Sequence, residues 1–267
     1  MASHQGKYLN KLAGKRILII GGTSGIGFGV AEAAAEHGAA SVIISSSSPS
    51  KIDAALERLR PSVAAGSSTQ LLGFPCNLGD HDTLSSEVEK LFDSATKDGK
   101  LDHVVVTAGD QPALGPVEKF TLDEIVRAGT LRFFAPLIIS QQIRKHVKDS
   151  LGSSYTITAG GAQEHVGTNW SVVQAYLMGV RGMTRGLAAD LAPVRVNAVA
   201  LGPVDTEMWA HAKETGYFAV ASERFRKRMV TGQLGQVEDV VEAYLYAMKD
   251  RNASGAIIET HGGTQLS

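Results

Sequence analysis

Strand-like apolar runs alternate with helical patterns along almost the whole chain, and no other feature narrows its fold so far. "RILII" (16–20), "SVIIS" (41–45), "TQLLGFPCNL" (69–78), "LDHVVVTAG" (101–109), "SSYTITAG" (153–160), "VRVNAVA" (194–200) and "GAIIETHGG" (255–263) read as buried strands. Helical patterns separate them, the longest over about 121–147, where Pro136 is expected to bend it, and over 171–192. Strands regularly separated by helices predict a parallel sheet covered on both faces. The fold class is therefore α/β: one doubly wound, Rossmann-type domain over residues 1–267 with a seven-stranded parallel sheet. No repeat, linker or second domain interrupts it. A helical segment is expected within 205–250. The irregular stretch 204–232 is the place for a substrate lid.

Composition bears on the excluded partners. Lys and Arg total 26 against 27 Asp and Glu, and no basic stripe appears, which argues against a nucleic-acid or membrane surface. The single cysteine, Cys76, excludes an internal disulfide and a cysteine-based zinc site and fits a reducing compartment. The N-terminal stretch lacks a signal core, so a cytoplasmic protein is expected. The eight histidines form no i,i+4 pair and no H-E-x-x-H helix, so no metal site is expected.

The first strand runs into "GGTSGIG", which spaces Gly21, Gly25 and Gly27 between a strand and a helix. Glycines let the backbone approach a pyrophosphate, and the helix N-terminus beyond supplies free N–H groups and partial positive charge. Thr23 and Ser24 add hydroxyls, and Ile26 lies inside the turn. The second strand ends in "ISSSSPSK" (44–51), with no carboxylate before Asp53. An acidic residue there would select the 2′-hydroxyl of NAD. Ser45, Ser46, Ser47 and Lys51 instead suit a 2′-phosphate, so NADPH/NADP+ is the expected cofactor.

Taken together, these motifs resemble the short-chain dehydrogenase/reductase family over nearly the full length. "CNL" (76–78) is similar to that family's adenine-contacting segment, with Asn77 in the acid's place and Leu78 following. "VVVTAG" resembles its N-A-G motif, with Thr107 for Asn ahead of Ala108 and Gly109. "RVNAVALGPVDT" (195–206) resembles its P-G motif, and implies that Gly202, Val204 and Thr206 border the nicotinamide.

The family's catalytic tetrad is Asn, Ser, Tyr and Lys, and all of it is altered. "GMTRGLAADLAPVRVNAV" resembles the family's sequence after the tetrad helix. Counting back without a gap puts Val173 at the Tyr position and Leu177 at the Lys position. A rival register makes Tyr176 the acid and leaves Val180 where Lys belongs. Ala159 or Gly160 replaces the Ser, and Arg132 replaces the Asn. Reduction of a ketone needs a proton as well as a hydride. Reduction of an iminium does not, because the carbon already carries the charge.

A narrower resemblance is to the fungal reductase/Diels–Alderases of the bicyclic indole alkaloids (malbrancheamide and paraherquamide types). That branch implies NADPH-dependent iminium reduction followed by a templated [4+2] cycloaddition of a bulky heterocycle. Its pocket Arg and Trp match Arg132 and Trp170, whereas its Asp falls at Gly167. Glu164, His165 and Asn169 are the nearby polar alternatives. Trp170 and Tyr176 equally fit core or interface packing, and Arg132 fits an ion pair. A pericyclase without redox turnover and a dinucleotide-binding scaffold remain open. The family resemblance implies a homodimer or homotetramer.

Overall fold

The computed structural model describes residues 6–160 and 167–266. Seven strands alternate with the helices: β1 Arg16–Ile20, α1 Gly25–Glu36, β2 Ser41–Ser46, α2 Pro49–Leu59, β3 Gln70–Pro75, α3 Leu84–Ala95 and β4 His103–Val106 form the first half. The second half comprises α4 Leu122–Gly129, α5 Ala135–His146, β5 Ser154–Gly160, α6 Ser171–Asp190 and β6 Arg195–Leu201. It ends with α7 Ala210–Glu214, α8 Tyr217–Arg226, α9 Val237–Lys249 and β7 Ile257–Thr260.

All strands are parallel, in the order β3-β2-β1-β4-β5-β6-β7. Alternation along β1 explains why the strand reads as a continuous apolar run. Ile17 and Ile19 face one core with Phe28, Val30 and Ala34 of α1, Ile52 and Leu59 of α2, and Tyr244 and Leu245 of α9. Leu18 and Ile20 face the other, with Val88 and Phe92 of α3, Ile139 and Ile143 of α5, and Leu187 of α6. Successive strand side chains point to opposite faces, so a strand covered on both sides has no polar face to show.

The long helix expected over 121–147 is not one α-helix. α4 ends at Gly129, a π turn spans Thr130–Phe134, and α5 begins at Ala135. Pro136 lacks the N–H that would continue the α ladder back to Arg132, and the wider turn absorbs that break. The lid region is more ordered than its composition implies. A 3-10 turn at Glu207–Trp209 and the helices α7 and α8 lie within it. Among the described residues, no helix is long and apolar enough to cross a membrane.

The chain turns from one half of the sheet to the other between β1 and β4. Their connections leave in opposite directions, which opens a crevice at the carboxyl ends of the strands, the usual ligand site of such sheets.

Candidate active site

The phosphate turn is tight enough to demand its glycines. Gly21 has φ +94, and a Cβ there would lie 2.5 Å from the Ala108 nitrogen. A Cβ on Gly27 would lie 2.1 Å from the Gly21 carbonyl oxygen and 2.4 Å from Thr107 Oγ1. Thr107 takes the place of the motif's Asn: its hydroxyl lies 3.2 Å from the Ile20 carbonyl oxygen and 3.3 Å from that of Gly21, donating across the ends of β1 and β4. Ser24 stands at the N-cap of α1 without a side-chain capping bond, which leaves its hydroxyl available to a ligand. The exposed, glycine-lined helix N-terminus fits a dinucleotide pyrophosphate.

One donor of this turn is already engaged. The Gly25 N–H donates to the Glu207 carboxylate at 2.8 Å, and the Thr206 side chain packs against the same glycine. The segment carrying both residues is tied across the mouth of the crevice. Val204 pairs with Gly235, Trp209 Nε1 donates to the Val204 carbonyl at 3.0 Å, and Lys213 meets Asp205 at 2.6 Å. Gln111 Nε2 donates to the Met208 carbonyl at 3.2 Å, joining this strap to the loop after β4. Gly202 sits against His261, with a Cβ position only 2.6 Å from the His261 Cα, and its N–H donates to Thr260.

The serines after β2 divide into two environments. Ser45 is fully buried with its hydroxyl unpartnered, while its carbonyl accepts the N–H groups of Gly21 and Gly22. Ser46 is half-buried, and Ser47 and Lys51 are exposed at the strand exit. Ser48 caps α2 by accepting the Lys51 N–H. On the adenine side, Asn77 is exposed and folds its carbonyl onto the Gly79 N–H at 3.0 Å, with Leu78 buried behind it. Burial pushes the neighbouring Cys76 thiol up to about 12, which makes it a packing residue rather than a nucleophile.

Three of the positions expected to replace the tetrad are apolar and buried together. Val173, Leu177 and Ala159 are buried, and Leu177 lies so close to β5 that a Cβ on Gly160 would stand 2.9 Å from its Cδ2. Tyr176 leaves α6 in another direction. Its hydroxyl donates to the Ile125 carbonyl of α4 at 2.9 Å, and its ring packs 5.4 Å from Phe133 and 5.9 Å from Phe134, centroid to centroid. Val180, the Lys position in the rival register, is buried in the core.

Arg132 sits in the π turn and reaches the end of β4. Its Nε meets the Asp110 carboxylate at 2.9 Å, its Nη2 donates to the Asp110 carbonyl, and its guanidinium lies against Gly109. Trp170 stands at the entrance to α6, packed against Gly167. It follows Asn169, whose φ is +72 and whose carbonyl accepts the Gly115 N–H at 3.1 Å. Glu164 and His165 lie outside the described residues.

The stretch 110–120, with two prolines and no strong period, reads from the sequence as a border of the pocket, but the individual roles of Asp110, Gln111 and Glu207 were missed. Two of them had a local signal: Asp110 follows the N-A-G-like motif directly, and Glu207 follows Thr206. Among the described residues, no group of three or more His, Cys, Asp or Glu could hold a metal ion.

Residues 8–267 match the SDR-like Rossmann domain. The chain is a short-chain dehydrogenase/reductase. It is 61% identical, over 98% of both chains, to the short-chain dehydrogenase/reductase fsr5 of Gibberella fujikuroi. It is 38% identical to the short-chain dehydrogenase/reductase malC of Malbranchea aurantiaca, over 96% of each chain. The solved structure of that organism's MalC reductase/Diels–Alderase superposes with a TM-score of 0.90, covering 97% of this chain and 99% of that one. Family and fold together make this short-chain dehydrogenase/reductase an oxidoreductase type built around a nicotinamide dinucleotide.

Proposed function

We propose that this short-chain dehydrogenase/reductase is an NADP(H)-dependent reductase of a cyclic iminium carried on a bulky heterocycle, as in alkaloid secondary metabolism. The observation that carries this reading is the apolar wall of Val173, Leu177 and Ala159 where the family has its acid, its lysine and its serine. A ketone reduced there develops an alkoxide with no donor to stabilise it. An iminium carbon gains a hydride and becomes a neutral amine without any proton transfer. When bound, NADPH supplies that hydride from its dihydronicotinamide ring.

The chain's own residues divide the remaining work. Gly21, Thr23, Ser24, Gly25, Ile26 and Gly27 hold the pyrophosphate, with Ala108 and Gly109 behind the turn. Asn77 and Leu78 border the adenine. Ser46, Ser47 and Lys51 favour the 2′-phosphate, because no carboxylate stands there to repel it, whereas Ser45, expected beside them, is fully buried in the sheet and out of a ligand's reach. Gly202, Val204 and Thr206 border the nicotinamide. Arg132 offers planar donors to a substrate carbonyl and Trp170 an aromatic face to a cation or an indole. A cytosolic homodimer or homotetramer belongs to the same proposal.

A second role, templating an intramolecular [4+2] cycloaddition, is favoured by the similarity to the MalC reductase/Diels–Alderase. The test is titration with NADPH and NADH, followed by nicotinamide absorbance with cyclic iminium and ketone substrates. Tighter NADPH binding with oxidation only on iminiums is the expected result. Turnover of simple ketones overturns the missing-acid argument. NADPH binding without oxidation on any substrate leaves a pericyclase or a scaffold as the function.

A further inference from the structure

The loop that leaves β4 links the parts of the crevice mouth that the tetrad alignment does not explain. It begins at Asp110, held by Arg132, continues through Gln111, which is bound to the strap at Met208, and reaches Gly115, bound to Asn169 beside Trp170. Asp110 therefore stands between the π turn, the strap and the entrance to α6. It remains 48% exposed although it is ion-paired. Arg132 takes Oδ1 and the backbone carbonyl, and no donor among the described residues meets Oδ2.

Charge makes this arrangement informative. Arg132 without a partner would repel a cationic substrate, and Asp110 cancels that charge while keeping an oxygen for a second cation. The strap's own carboxylates are engaged elsewhere: Asp205 pairs with Lys213 and Glu207 holds the Gly25 N–H. We infer that the Asp110 carboxylate is the group by which this cleft recognises a cationic nitrogen heterocycle, a role that rests on the iminium-reductase reading.

The inference fixes which step should respond. With NADPH bound, a hydride leaving the dihydronicotinamide C–H bond would form the new C–H bond at the iminium carbon, send the C=N π pair to nitrogen and leave the positive charge on the cofactor ring. Asp110 would attract the cationic substrate before the transfer, so its effect belongs first to the binding of the cation. A half-exposed carboxylate attracts a cation through partly screened solvent, which keeps the effect well below that of a buried pair. An effect of roughly tenfold is expected.

The probe is N-methyl-3,4-dihydroisoquinolinium, a permanently charged cyclic iminium, with its neutral N-methyl lactam as the isosteric control. Calorimetry on the protein loaded with NADP+ measures both affinities for wild type and Asp110→Asn. The variant is expected to bind the cation about tenfold more weakly and the lactam within twofold of wild type. Its cation affinity should also lose most of its dependence on ionic strength. Unchanged cation binding in Asp110→Asn overturns the inference. So does an equal loss for both ligands, which would make Asp110 a positioning partner of Arg132, or a wild type that does not prefer the cation. Failure of the reductase reading is separately visible: the cation then binds in an Asp110-dependent way, yet NADPH is not oxidised by it.

Discussion

Replacing Tyr176 with Phe separates the two registers of the tetrad helix. The tyrosine ring stays between Phe133 and Phe134, and only the hydroxyl that donates to Ile125 at 2.9 Å is lost. A neutral, partly exposed hydrogen bond contributes about 1 kcal/mol net, and the carbonyl it leaves belongs to a helix turn and stays close to solvent. For a domain of this size that loss lowers the melting temperature by about 2–4 °C. Burial holds the phenol above its ordinary pKa, so it is fully protonated near neutrality. No lysine stands one turn further on to lower it, because Val180 is buried there. The expected outcome is a small drop in thermal stability, followed by circular dichroism, with iminium reduction within twofold of wild type. General acid catalysis contributes about 10²- to 10⁴-fold. Any reduction of a ketone by the wild type that falls by this factor in Tyr176→Phe, with NADPH affinity and melting temperature unchanged, would refute the ungapped register and make Tyr176 the proton donor.

Three further outcomes follow. Glu207→Gln removes a carboxylate from the phosphate turn, so NADPH should bind about fivefold more tightly at low salt, consistent with about 1 kcal/mol between exposed charges. Fluorescence titration at low and high ionic strength checks this, and the gain should shrink with salt. Installing Tyr at Val173, Lys at Leu177 and Ser at Ala159 should create NADPH-dependent reduction of a small ketone, whereas Val180→Lys beside Tyr176 should not; steady-state assays compare the two. Acid sensitivity should centre on His103, whose pKa burial depresses to about 3, against the adjacent Asp102, and which shares a 2.9 Å hydrogen bond with Ser154. The unfolded chain protonates this histidine near pH 6.5 and the folded chain does not, so stability falls with pH from about 6.5 toward 3, by up to about 1.4 kcal/mol per pH unit. Urea unfolding of His103→Gln should show a flatter slope across that window.

Burial would raise the pKa of neighbouring Asp102, but hydrogen bonds from Lys148, the Arg16 N–H and Lys15 outweigh it and hold it below the usual carboxylate range. Its stabilising contribution is present above the unfolded carboxylate pKa of about 3.9 and is lost as pH falls through the lower folded value. It therefore acts below most of the His103 window.

Much of the architecture was legible from local rules. The apolar runs at 16–20, 41–45 and 101–106 became β1, β2 and β4 because a strand covered on both faces shows no alternating polar face. Gly21 and Gly27 marked the phosphate turn because no side chain fits between the ends of β1 and β4. That Val173 and Leu177 are apolar was likewise visible in the sequence, and both are buried.

What the tertiary structure alone decided depends on residues far apart in the chain. Tyr176 faces Ile125, 51 positions away, and helical spacing alone does not say which neighbouring element will accept its hydroxyl. Arg132 meets Asp110 across 22 residues, and Glu207 reaches Gly25 across 182. Periodicity reports which face of an element is buried, and glycine reports where the backbone must turn sharply. Neither reports which polar groups the sheet's winding brings to one crevice. The amino-acid order thus determined the sheet and the tight glycine turn after its first strand. Only the packing of α4, α6 and the strap around β4 decided which charges stand at the mouth of the site.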